Sequence, residues 1–483
     1  MSNEEVKQSL ASNTIWNALE RFSMLGIQLV CTFVLARFLQ PSDFGLVGML
    51  VVFTLISNTL IDSGFGQTII REKEVEQKDL STVFYFNLFI AIILYIVLYF
   101  LSPYIAAFYH QEILNDICKV TFLVIPFNAL CLVPQTLLAK QLQFKKIFIV
   151  TFFSALFSCL IAVIIAFKTR NVWALVFQNV LQYAIKAIVL MLIIKWKPTL
   201  DFSFQTLRKY FAFSSNLLIS GLIGNIFSNI YSILIGRFYT ASDLGFYMQA
   251  DRIKNVLTTS TTSVVQNVSY PILSKINNSD GDIVIAYKKI IKISIIFVGF
   301  IMSLLMGVSE DVCEIFMGDK VWRISGQYLF LLGVSGILYP FHSINQNILL
   351  VKGEGFAILK LEIIRRTLML LILAVTVNFD IIIFVGGTAV YSFLLLFINL
   401  YYCGKPINYG VFQQLKDTMP IFFRLAIMVI TALITSYFVQ NLYIILRVII
   451  VLCLSASVGI ILFSRDSAFR ETICLFKKIL WKH

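Results

Sequence analysis

Inside its long apolar runs this sequence keeps polar residues three and four positions apart, a spacing that gathers them on single helix faces. Thr54, Asn58 and Asp62 recur every fourth residue, and so do Gln178, Gln182 and Lys186. Asn13, Asn17, Arg21 and Gln28 share a face, with Glu20 beside Arg21. Asn225 and Asn229 lie on one side of a run whose other side is a ridge of Ser220, Gly224, Ser228, Ser232 and Gly236. The most polar stretch holds Gln249, Asp251, Arg252, Lys254 and Asn255 and continues through Thr and Ser to Gln266. His342, Asn345 and Gln346 precede Lys360, Glu362, Arg365 and Arg366, where Glu362 and Arg366 can pair across one turn. Guanidinium and ammonium groups in such places supply charge-assisted hydrogen bonds to an anion such as phosphate, and amides suit hydroxyl groups. On this reading Arg21, Arg252, Arg365, Arg366, Lys186, Gln249 and Asn225 bind a substrate. Asp62, Asp251 and Glu362 pair with cations or exchange a coupling ion, and His342 is an interior hydrogen-bonded histidine or a proton carrier.

The elements that carry these residues are spans of a bilayer. Of 483 residues 59% are hydrophobic and 13% charged, with a mean hydropathy of +0.86, where a soluble domain keeps about a quarter of its residues charged. Apolar runs of roughly 18 residues or more recur from end to end, giving about fourteen expected transmembrane helices in an all-α integral membrane protein. The opening residues MSNEEVKQSLASNT are polar and no small-residue cleavage site follows the first apolar run, so no cleaved signal is expected. The eight cysteines are scattered without CxxC spacing and read as small apolar side chains with neither disulfide nor metal duty.

The net charge of +13 is a topology signal and does not indicate nucleic acid. Lys and Arg crowd alternate loops, for example Arg71, Lys73 and Lys78, then Lys140, Lys145 and Lys146, and the tail with Arg470, Lys477, Lys478 and Lys482. The intervening loops carry few, and the positive-inside rule places both termini in the cytoplasm. The loops are short, which leaves no room for a soluble catalytic domain.

One short stretch occurs twice. RFLQPSDFG, from Arg37 to Gly45, returns as RFYTASDLG, from Arg237 to Gly245. Ser42 or Asp43, and Ser242 or Asp243, suit helix N-caps, and both arginines suit a helix C-terminus. An even number of spans between the copies sets them on the same side, as parallel repeats require. The expected division is an N-terminal lobe at 1–200, a C-terminal lobe at 201–404, and an appended pair of spans with a basic tail at 405–483. The opening span with its RF..PSDFG close, SGFGQTIIRE (Ser63–Glu72) and GFYMQADRI (Gly245–Ile253) resemble the Wzx-like flippases, the polysaccharide branch of the multidrug/oligosaccharidyl-lipid/polysaccharide exporter superfamily. The resemblance implies two pseudo-symmetric six-helix lobes plus a C-terminal pair. It also implies export of oligosaccharide units linked to undecaprenyl pyrophosphate across a bacterial cytoplasmic membrane, by alternating access. Implied partners are the lipid-linked oligosaccharide, membrane lipids and other glycan-assembly proteins such as a polymerase.

Two alternatives stand beside it. A membrane-embedded polymerase or glycosyltransferase needs positioned carboxylates or a long outer loop. The acidic group Glu310, Asp311, Glu314 and Asp319 reads instead as a solvated loop face. A drug or metabolite exporter of the same superfamily calls for a compact acidic site, whereas these spans are rich in basic residues. No GxxxxGK[ST] is present, so neither ATP nor any other cofactor or metal is expected.

Overall fold

The computed structural model describes residues 3–278, 282–466 and 469. Among them every regular element is helical, the form in which a span satisfies its own backbone hydrogen bonds in lipid. The chain divides into two compact units, Met1–Gly245 and Phe246–His483.

The first unit holds α1 (Asn3–Ala36), α2 (Pro41–Asp62), α3 (Phe65–Arg71), α4 (Gln77–Tyr109), α5 (Leu114–Thr121) and α6 (Val124–Lys140). It continues with α7 (Phe144–Thr169), α8 (Trp173–Ile193), α9 (Phe204–Ser228), α10 (Ile230–Phe238) and the first turn of α11 (Ala241–Asn278). The second holds the rest of α11, then α12 (Ile283–Gly307), α13 (Ser309–Met317), α14 (Arg323–Val351), α15 (Gly355–Thr376), α16 (Ile381–Gly404), α17 (Val411–Phe438) and α18 (Ile444–Phe463). Among the described residues 11 helices are long and apolar enough to cross a membrane, or up to 12 when α9 and α10, bent by 45°, count as one span. This is a multi-pass membrane protein. Two further long helices, α11 and α15, miss that apolarity test, and they carry Gln249, Asp251 and Arg252, and Glu362, Arg365 and Arg366.

The repeated stretch builds two matching hairpins, capped one turn earlier than the sequence suggests. The Gln40 backbone N–H donates to Asp43 at 2.9 Å. At the second copy the Thr240 N–H donates to Asp243 at 3.1 Å, and the Asp243 N–H donates back to the Thr240 hydroxyl at 3.1 Å. The aspartates therefore close capping boxes from the third helical position. Arg237 donates to the Phe108 carbonyl at 2.7 Å, tying α10 to the end of α4. Both copies lie in the first unit, and their glycines meet. A Cβ added at Gly45 would fall 1.7 Å from the Ala241 carbonyl oxygen, and one at Gly245 would fall 1.8 Å from that of Pro41. Glycine is required at both positions because backbone occupies the side-chain space.

The small-residue ridge of the seventh expected span is interrupted, because the bend at Asn229 turns α10 away from the α9 axis. Gly236 packs against Met49 and Tyr109, while Gly224 has open space. A second departure concerns cysteine: Cys31 of α1 and Cys159 of α7 form a disulfide, their Cα atoms 5.8 Å apart. The two lie 128 residues apart in sequence, and the helix pairing that joins them has no local spacing signal.

In the second unit α17 and α18 pack along α12 and are held at both ends. At one end Lys288 pairs with Asp417 at 3.0 Å and lies over the Tyr409 ring at 4.5 Å. The Tyr409 hydroxyl donates to Asp417 at 2.5 Å, and burial together with that carboxylate raises the phenol above its usual pKa. At the other end Arg447 of α18 pairs with Asp311 of α13. Arg323 reaches Glu310 and Glu314 at 2.8 Å each and Asp311 at 3.3 Å. Three of the four acidic residues thus form no solvated face, and Asp319 alone stays exposed: Asp311 is 3% exposed, pulled inward by two guanidinium groups.

Candidate functional site

Two polar constellations stand out, one in each unit. In the first, α2 contributes Asn58, Thr59 and Asp62, α3 Gln67, α6 Asn128 and α9 Asn225 around a cavity of 390 Å³. The i, i+4 spacing of Asn58 and Asp62 on α2 turns both toward it; Thr54, one turn earlier, instead donates to the Leu50 carbonyl at 3.2 Å. Asn128 Nδ2 donates to Asn58 Oδ1 at 3.0 Å, and Asn225 Nδ2 donates to Thr59 Oγ1 at 2.6 Å. Asp62 accepts from the Gly66 N–H at 3.3 Å, where Ser63 and Gly64 in left-handed backbone break α2 from α3. Lys140 ties the end of α6 to the end of α3, its Nζ donating to the carbonyls of Ile69 at 2.7 Å and Glu72 at 2.6 Å. Asn128 was not foreseen. It is a lone polar residue in an apolar run, and only its position opposite Asn58 makes it part of a site.

The second unit gathers Arg365, Arg366 and Glu362 of α15 with His342 of α14, as their clustering in the sequence suggests, and adds Asn399 of α16. Arg365 Nη1 donates to Glu362 at 3.0 Å and Nη2 to Asn399 Oδ1 at 2.7 Å. Arg366 lies 3.5 Å from Glu362. The Asn399 oxygen is taken by arginine, so its Nδ2 is the donor in the 2.7 Å contact with His342 Nδ1. That fixes the neutral imidazole with its proton on Nε2. His342 Nε2 and Arg365 Nε are both buried and have no acceptor among the described residues. Both are donors, and a buried donor left unpaired costs roughly 1–3 kcal/mol. An anionic oxygen would satisfy either.

The remaining expected residues are placed singly. Lys186 on α8 is half-buried and faces Glu20 of α1 and Cys131 of α6. Arg21 is exposed on α1 and Arg252 exposed on α11. Asp251 is engaged by its own helix, with Lys254 at 2.6 Å and Asn255 at 2.7 Å. Gln249 is 3% exposed. The side chains of the Thr/Ser run through Gln266, Cys474 and the basic tail from residue 470 lie outside the described residues. Among the described residues no group of three or more His, Cys, Asp or Glu side chains is arranged to hold a metal ion.

The chain is similar to several known proteins. The family described as "Polysaccharide biosynthesis protein" matches residues 34–325. The teichuronic acid biosynthesis protein TuaB of Bacillus subtilis is 26% identical over 72% of this chain and 73% of its own. The succinoglycan biosynthesis transport protein ExoT of Rhizobium meliloti is 22% identical over 69% of this chain and 67% of its own. Among solved structures, the lipid II flippase MurJ in an inward closed conformation matches with a TM-score of 0.70, covering 93% of this chain and 99% of its own at 14% identity. That likeness shows the fold.

Proposed function

The chain belongs to the polysaccharide biosynthesis protein family, and from that premise we propose that it is a flippase for oligosaccharide units carried on undecaprenyl pyrophosphate. It would move them from the cytoplasmic to the outer leaflet of a bacterial cytoplasmic membrane for a surface polysaccharide. A pyrophosphate with attached sugars cannot enter hydrocarbon unaided, since its charge and hydroxyls would lose their water. The observation that carries the reading is the Arg365–Asn399–His342 relay, with two buried donors that lack an acceptor among the described residues. Charged side chains inside a membrane face a cavity or pair, because lipid exposure costs about 3 kcal/mol or more at mid-bilayer.

In this reading Arg365 and Arg366 hold the phosphates, Glu362 keeps both guanidinium groups oriented, and His342 donates from Nε2. Arg21, Arg252 and Lys186 supply further positive charge along the path, with Gln249 and Asn225 meeting sugar. Asp62 and Asp251 pair with cations or exchange a coupling ion. Lobes at 1–200 and 201–404, with the appended 405–483, would open alternately to the two sides, both termini staying in the cytoplasm. The names of the two relatives support a place in polysaccharide biosynthesis and, for one of them, transport. The test replaces Arg365 with Ala and with Lys and measures surface polysaccharide at matched protein level. Loss of charge-assisted bonds worth roughly 1.5–3 kcal/mol lowers export by ten-fold or more in Arg365→Ala, with partial recovery in Arg365→Lys. Undiminished export from both variants removes the relay from the mechanism.

A further inference from the structure

We infer that the cavity between α2, α6 and α9 is a subsite for an uncharged, hydroxyl-bearing sugar of the cargo, a reading that rests on the flippase function proposed above. Its volume of 390 Å³ lies in the range of small-ligand sites, roughly 300–1,000 Å³. Asp62 is the one charged side chain among the described residues that line it. A site built for pyrophosphate would present guanidinium or ammonium groups, and this one presents amides and a hydroxyl.

The internal hydrogen bonds leave capacity for a ligand. The bond from Asn128 to Asn58 uses one amide hydrogen and one oxygen, leaving the Asn58 amide hydrogens as donors and the Asn128 oxygen as an acceptor. The bond from Asn225 to Thr59 leaves the Asn225 oxygen, and the Gly66 N–H occupies only one Asp62 oxygen. Donors and acceptors side by side suit sugar hydroxyl or acetamido groups, which both give and take hydrogen bonds. Leu55, Leu132 and Leu218 supply apolar wall for the C–H faces of a ring. The same Asp62 carboxylate, with no ion pair among the described residues, repels a uronate. The pocket therefore selects neutral over acidic sugars.

The test uses the full chain in proteoliposomes and two probes. One is undecaprenyl pyrophosphate bearing a neutral N-acetylated disaccharide; the other is the same lipid with a disaccharide ending in a uronic acid. The native protein moves the neutral probe at least ten-fold faster. Asn58→Leu and Asn128→Leu slow the neutral probe roughly three- to ten-fold, the loss expected from one or two hydrogen bonds. Asp62→Asn raises the uronate rate relative to the neutral one, a ratio that partial misfolding leaves unchanged. Equal rates on both probes, with native protein and variants alike, overturn the sugar subsite and leave the flippase standing. Movement of neither probe by the native protein overturns the flippase reading, and the subsite falls with it.

Discussion

Replacing Gly45 with Ala sets two effects of opposite sign against each other. Alanine in a helix interior is favoured over glycine by about 0.5–1 kcal/mol. Against that, the new Cβ would lie 1.7 Å from the Ala241 carbonyl oxygen, so the two hairpins must part to restore van der Waals contact. The obstruction is backbone, which has no rotamer to change, and overpacking of this kind costs about 1–3 kcal/mol. The clash wins: for a rigid backbone obstruction it sits at the top of that range, about 3 kcal/mol, and less the helix gain leaves a net loss of about 2 kcal/mol. Gly245→Ala meets the Pro41 carbonyl oxygen at 1.8 Å and behaves alike. Because both substitutions strain one contact, parting the hairpins once accommodates both. The double variant keeps one clash of about 3 kcal/mol and takes the helix gain twice, losing about 1.5 kcal/mol, where independent sites would sum to about 4. Gly386→Ala, in α16 with open space at its Cβ, should gain about 0.5 kcal/mol. Reversible unfolding by SDS in mixed micelles measures all four variants. Single variants within about 0.5 kcal/mol of the native protein, or a double variant equal to the sum, would refute the reasoning.

Three further outcomes follow from the structure. Asp311→Asn leaves Arg447 buried without its counter-charge and should destabilise by about 3–5 kcal/mol, whereas Asp311→Leu combined with Arg447→Met recovers much of that loss; the same SDS titration reads both. On denaturation without reductant, two of the eight cysteines, Cys31 and Cys159, escape maleimide until dithiothreitol is added. In the folded protein Cys313 also stays unlabelled from pH 7 to 9, since burial and the neighbouring Glu310 push its thiol up to about 12. Mass spectrometry counts the adducts.

The spans were legible because a bilayer demands long uninterrupted apolar runs, and the polar interruptions of α11 and α15 stood out against them. The grouping of Arg365, Arg366 and Glu362 was legible for the same reason: one helix, one turn. Asn399 and Asn128 were not, since each is a single amide whose partner arrives from another helix. Asp311 misled because four acidic residues within ten positions look solvated, and nothing local announces that Arg447, 136 residues later, will meet it. The caps slipped by a turn because Asp at the third helical position closes a capping box as well as it begins one.

The last two helices look like an addition to a twelve-helix plan, yet Arg447 and Asp417 bind them into it from opposite ends. A chain cut after α16 would strand Asp311 beside Arg323 alone and leave the face of α12 bare. Shortening this protein would therefore call for rewriting residues in α12 and α13 before the tail could be discarded.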